Sequence, residues 1–180
     1  MFSFLTKKKI SEKKLSNLFV SGILQLVDQA FPEVSGIINE DPEFERNPNI
    51  KTSDADKFLM IVIAGNLQFI PKYFSSYQDV RLIEQITINL ANTLNVDYEK
   101  LKLHIAKYQS LMNKWNMPSK NIHYAMSKAV FNKYDLNQFQ EEYFRNMNSP
   151  NPIFLKRLDD IMDNFIWDWQ EIQNKYKIVE

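Results

Sequence analysis

Apolar positions recur at three-and-four spacing in almost every segment of the chain, which predicts amphipathic helices rather than strands. Ser11 has the side chain of a helix cap, and after it Leu15, Leu18, Phe19, Ile23, Leu26, Val27 and Ala30 fall on one face. Gly22 lies on that same face and leaves room for a neighbour to come close. Phe31-Pro32 is expected to interrupt the helix, because proline disfavours helical geometry in the residue before it. A short turn then resumes through Val34, Ile37 and Ile38. Residues 41–53 contain two prolines and no apolar period, so they read as a loop long enough to ask for a function.

The run Phe58 to Ala64 is apolar on every side. Its β-branched residues would suit a buried strand, but no second strand-like segment exists to pair with it. A central helix is therefore expected, ended or kinked at Pro71. Ser76-Tyr-Gln-Asp79 resembles a capping box and predicts a helix using Val80, Ile83, Thr87, Leu90 and Leu94. Asp97 is placed to cap the next helix, whose seam is Tyr98, Leu101, Ile105, Tyr108, Met112 and Trp115. Ser119 is expected to start a helix that packs Ile122, Ala125, Met126, Ala129 and Val130. Asp135 with Gln138 restarts it, gathering Phe139, Tyr143, Phe144 and Met147 on one face. Asn151-Pro152 marks a final helix start, since proline at the first helical position loses no hydrogen bond. Phe154, Leu158, Ile161, Phe165, Trp169, Ile172 and Tyr176 then predict a single stripe of more than six turns. The expectation is an all-α, single-domain, irregular bundle of about six to eight helices over residues 11–180, preceded by a flexible basic tail at residues 1–10.

Composition narrows the chemistry. Three glycines among 180 residues are few against an average near 7%, which disfavours tight hairpins and glycine-rich phosphate loops. The absence of cysteine excludes disulfides, thiolate metal sites and a cysteine nucleophile. Basic and acidic residues balance at 22 each, but residues 1–14 hold five lysines against one glutamate. The remainder is net negative, so no nucleic-acid partner is expected. The most apolar stretch, Phe58 to Ile70, has 13 residues and includes Asn66 and Gln68, too short and too polar for a membrane span. The opening Met-Phe-Ser-Phe-Leu places apolar residues ahead of the lysines and does not read as a secretory signal, which leaves the cytoplasm as the expected location.

Few residues offer site chemistry. Asp159-Asp160-Ile-Met-Asp163 resembles the aspartate-rich motif of the isoprenoid synthases. That resemblance implies carboxylates holding Mg²⁺ against a substrate diphosphate, and the ligands are hard oxygens one helical turn apart. No second acidic motif and no arginine pair accompany it. The alternative is a solvated face, with Lys156 and Arg157 spaced to pair with the three aspartates. His104 falls on the apolar seam between Leu101 and Tyr108 and is expected at the core edge, whereas His123 is expected to face water. Neither belongs to a Glu-x-x-His pair, and no G-x-S-x-G or H-E-x-x-H sequence occurs.

Aromatic residues make up 13% of the chain. On one continuous helix Trp167 would lie about 200° from Trp169, so the two could not share a core. Trp167, with Asp163 and Glu171 one turn to either side, is thus a candidate partner-contact patch, most simply in a homodimer. A loop or the N-terminal tail folding over the ring is the competing account. Phe2, Phe4 and Leu5 followed by Lys7, Lys8 and Lys9 could form a membrane-surface element, against the alternative of a frayed tail. The leading expectation for function is a non-enzymatic interaction or regulatory module with a protein partner and no cofactor. A Mg²⁺/diphosphate-dependent enzyme using Asp159, Asp160 and Asp163 and a carrier for a small apolar ligand are the alternatives.

Overall fold

In a computed structural model, which describes residues 7–116 and 121–180, the apolar run at 58–64 forms the middle of a helix, α2 (Ala55–Tyr73). Phe58, Ile61, Val62, Ile63 and Ala64 are fully buried. A helix apolar all round has to be covered on all sides. α1 (Glu12–Asn39), α3 (Gln78–Leu94), α4 (Tyr98–Trp115), α5 (Ile122–Lys133) and α8 (Trp169–Lys175) supply that cover. α6 (Glu142–Met147) and α7 (Pro152–Asp163) complete the eight α-helices of the described residues, with a 3-10 turn at Leu136–Phe139. The bundle is all-α apart from two short strands, β1 (Lys8–Ser11) and β2 (Tyr176–Val179).

Caps behave as their chemistry requires. The Ser11 hydroxyl accepts from the Lys14 N–H, and the Asp97 carboxylate accepts from the Lys100 N–H. Asn151 Oδ1 accepts from the Ile153 N–H, with Pro152 at the first helical position. α2 starts differently: its Phe58 N–H donates to the Tyr134 hydroxyl, which in turn donates to the Asp54 carbonyl. Burial and the nearby Asp54 and Asp56 charges keep that phenol protonated well above the usual tyrosine range, although the Phe58 N–H works the other way.

Several boundaries differ from expectation, each for a local reason. α1 runs through Pro32 without a break. The carbonyl that loses its donor there belongs to Asp28, which is exposed, so water can satisfy it. No capping box forms at Ser76: α3 begins at Gln78 behind Tyr77, which holds φ at 75°, and Asp79 accepts from the adjacent Val80 N–H. The helix expected to restart at Asp135 is a 3-10 turn followed by α6, which buries no residue and leaves Tyr143 and Met147 exposed. Ser119 lies outside the described residues, and the observed cap of α5 is Asn121, whose Oδ1 accepts from His123 N and Tyr124 N.

The two chain ends bring the largest corrections. Residues 8–10, expected in a flexible tail, pair in parallel with β2, Lys8 against Tyr176 through Ser11 against Val179, and Ile10 is 4% exposed. Residues 1–6 lie outside the described part. The long C-terminal helix is two helices. α7 stops at Asp163, where the Asn164 amide donates to the Asp160 and Ile161 carbonyls. α8 restarts with Asp168 accepting from the Glu171 N–H. Between them, fully buried Asn66 of α2 donates to the Val62 and Phe165 carbonyls and accepts from the Trp167 N–H.

The loop at 41–53 is held throughout. Arg157 Nη1 reaches Asp41 Oδ1 at 3.0 Å, Asn151 Nδ2 donates to Glu43, and Phe44 packs on Phe154 at 4.7 Å. Asn39 exchanges two hydrogen bonds with the Ile50 backbone.

Candidate functional site

On α3, Leu82, Ile86, Thr87, Leu90 and Ala91 are buried on the core face, and Val80 and Ile83 stand beside it. Val80, Ile83 and the buried Thr87 line a groove between α3 and α4 with Leu67 of α2 at its base, and Ile83 also packs on the core. One lobe, about 410 Å³, adds Tyr98, Ile105 and Ala106 of α4. A second, about 690 Å³, continues past Leu67, Ile83 and Gln109 towards Pro71 and Ile122. Val80 is 62% exposed, so the lining reaches open solvent.

Thr87 and Asn116 are buried polar residues of the lining, and further polar groups are exposed. Gln68 donates to Asn113 Oδ1 at 2.9 Å, and Gln109 donates to the Ala64 carbonyl at 3.3 Å. Lys72 lies 4.9 Å from the Phe69 ring centroid and Lys102 lies 5.6 Å from that of Tyr98. Glu84 is the one carboxylate among the lining residues. The rim therefore presents two cations against one anion around an apolar floor. Such a surface favours an apolar or amphipathic occupant bearing acidic flanks.

The aspartate-rich stretch does something else. Asp159 and Asp163 of α7 face α5, where His123 and Ser127 stand one turn apart. His123 Nε2 lies 3.0 Å from Asp163 Oδ1, and its ring packs on Phe69 at 5.7 Å, so it is half-buried rather than water-facing. Burial raises the Asp159 carboxyl above its ordinary value; the nearby Ser127 hydroxyl and His123 pull the other way. Asp160 and Asp163 are exposed, as a solvated face requires, but Asp159 is half-buried and Arg157 turns away to Asp41 and Glu43, so the expected Arg157 pairs do not form. No three His, Asp or Glu side chains converge as a metal site among the described residues. Serine, histidine and aspartate do meet here, but Ser127 is 0% exposed and no substrate could reach its hydroxyl. His104, expected at the core edge, is exposed with its ring against Tyr108.

Trp167 is partly buried, and the helix break overturns the premise that set it opposite Trp169. The two rings are neighbours, 5.7 Å apart, and both pack on Phe19. Asp163 ends α7 while Glu171 belongs to α8, so they do not flank Trp167 on one helix. Gly22 does admit a close neighbour, and it is this indole: a Cβ there would stand 2.9 Å from Trp167 Cζ2. The element that covers the ring is α1, not the loop at 41–53.

No family model matches the chain, and no curated protein or solved structure is significantly similar to it.

Proposed function

We propose that this protein is a non-enzymatic interaction module of the cytoplasm that holds an amphipathic helix of a partner protein along the α3–α4 groove. The observation carrying this reading is the apolar lining that Val80 and Ile83 of α3 form with Leu67 and Ile105, with Val80 left 62% exposed at its edge. A helix laid in an apolar groove is read through anchors at i, i+3/i+4 and i+7. The groove is elongated and open, which suits a helix better than an enclosed small molecule. Lys72 and Lys102 at the rim favour acidic residues beside the partner's apolar face. The sealed position of Ser127 favours the non-enzymatic reading, because the described serine, histidine and aspartate cluster lies inside a helix interface.

The test is a photo-crosslinking residue at exposed Ala106, compared with the same residue at Asn137 away from the groove, in cells that make the protein. The expected result is a crosslink at Ala106 alone, to one partner segment with apolar residues at i, i+3/i+4 and i+7. A second substitution, Val80→Lys at the exposed edge of the groove, should lower its yield at least about tenfold while the thermal melt is retained, as expected for a charge set into an apolar contact. A crosslink from Ala106 to a second copy of this chain would replace the partner by a homodimer. A co-purified apolar molecule released by Val80→Lys would instead make the protein a carrier. Equal labelling at Ala106 and Asn137 would remove the groove as a docking surface.

A further inference from the structure

Pairing of β1 with β2 gathers a charge that neither terminus holds alone. Lys7, Lys8, Lys9, Lys13 and Lys14 come from one end of the chain, and Lys175 and Lys177 from the other. All seven are exposed, and none of them is ion-paired among the described residues. The acids that could have neutralised them are engaged elsewhere. Glu12 is buried against Arg81, which contacts it at 2.8 Å, and Glu180 reaches the same guanidinium at 3.1 Å. Residues 7–14 and 175–180 carry seven lysines against two glutamates, so the remainder of this neutral chain is net −5.

The register makes the concentration of charge costly. Lys9 stands directly opposite Lys177, and like charges across a strand pair destabilise it. Lys7, Lys9, Lys177, Tyr176 and Gln173 line a shallow depression of about 560 Å³, where the Lys7 ammonium donates to the Gln173 carbonyl at 2.7 Å. An external anionic surface would remove that repulsion.

We infer that this basic ribbon is a docking surface for an anionic phospholipid membrane. Two observations favour a membrane over a nucleic acid. The sequence sets Phe2, Phe4 and Leu5 within five residues of Lys7, and a bilayer offers such side chains an apolar phase that a phosphate backbone does not. Tyr176 is the single aromatic residue among the ribbon lysines, too few for the stacking platforms of single-strand readers. A planar surface meets one end of the molecule, leaving the acidic body largely screened beyond about 10 Å at 0.1 M salt. No described helix is long and apolar enough to cross the bilayer.

Each lysine near an anionic leaflet strengthens partitioning by about fivefold. The full chain is expected to sediment with vesicles containing about one-third phosphatidylserine at about 0.1 M salt, not with pure phosphatidylcholine, and to be released at about 1 M salt. Lys9→Gln with Lys177→Gln should weaken partitioning by about 25-fold without lowering the melting temperature, since it also relieves the like-charge pair. Lys13→Gln with Lys14→Gln, at the exposed start of α1 and outside the strand pair, should weaken partitioning by a similar factor. Lys114→Gln with Lys156→Gln, away from the ribbon, should have no effect. Equal binding to both vesicle types, no binding to the anionic ones, or indifference to both ribbon and helix pairs would overturn the inference. Tighter binding to a single-stranded RNA than to the anionic vesicles would assign the patch to nucleic acid instead.

Discussion

Over Gly22, the indole of Trp167 approaches α1 more closely than any residue with a Cβ would allow, and it meets Phe19 edge-on at 5.1 Å. Phe19, Trp169 and Phe74 continue the cluster, with Trp169 only 1% exposed. An aromatic group placed like this contributes through buried area and through ring geometry. Trp167→Ala is therefore expected to lower monomer stability by about 2–4 kcal/mol, somewhat below the cost of deleting a wholly buried tryptophan. Urea unfolding followed by circular dichroism measures it. Unchanged stability accompanied by loss of self-association would restore Trp167 to a partner-contact patch. The sequence held half of this arrangement: Gly22 on an apolar face announces a close neighbour. The identity of that neighbour depended on a helix break about 145 residues away, which no local pattern near Gly22 reports.

Among the elements, the break between α7 and α8 depends on one side chain of α2. Asn66, buried at 0% exposure, satisfies the Phe165 carbonyl and the Trp167 N–H, two groups of a non-helical linker packed against the core. Asn66→Ala would leave both without their partner, and a buried unsatisfied group costs about 1–3 kcal/mol. We expect a loss of about 2–4 kcal/mol by urea unfolding, together with a red shift of tryptophan emission as the linker loosens around Trp167 and Trp169. A loss below about 0.5 kcal/mol would mean that water takes over both bonds. The periodicity of apolar residues shows the helices because burial of one face is a local property. Their ends were less legible. Asp168-Trp-Gln-Glu171 carries a capping pattern that marks the start of α8, but the continuous stripe from Phe154 to Tyr176 masks it. At Pro32 and Ser76 the outcome turned on solvent exposure and on a positive-φ Tyr77, neither of which a spacing rule contains. The groove was the least legible. Val80, Ile83 and Thr87 have the spacing of a core seam, and only the placement of α4 decides that Thr87 is buried while Val80 and Ile83 line an opening.

At the scale of the whole molecule, stability should be graded from α2 outward to the ribbon. α2 is enclosed by five helices, so its amides open only when the bundle does. The ribbon is two four-residue strands, and a two-stranded sheet is marginal by itself. Ile10 against the core and the Arg81 contacts to Glu12 and Glu180 hold it, while Lys9 opposite Lys177 opposes it. Native-state hydrogen exchange should find the amides of residues 9–11 and 177–179 opening by a local route, far faster than those of Ile61, Val62 and Ile63. The electrostatic part has its own signature. Raising salt from about 0.01 M to about 0.1 M shortens the screening length from about 30 Å to about 10 Å, which weakens repulsion among the seven lysines. Ribbon exchange should slow over that range while α2 exchange is unchanged. Exchange of the ribbon at the α2 rate would show that the paired termini open only with the whole bundle. Faster ribbon exchange on adding salt would show that the Arg81 ion pairs outweigh the lysine repulsion in holding the two ends together.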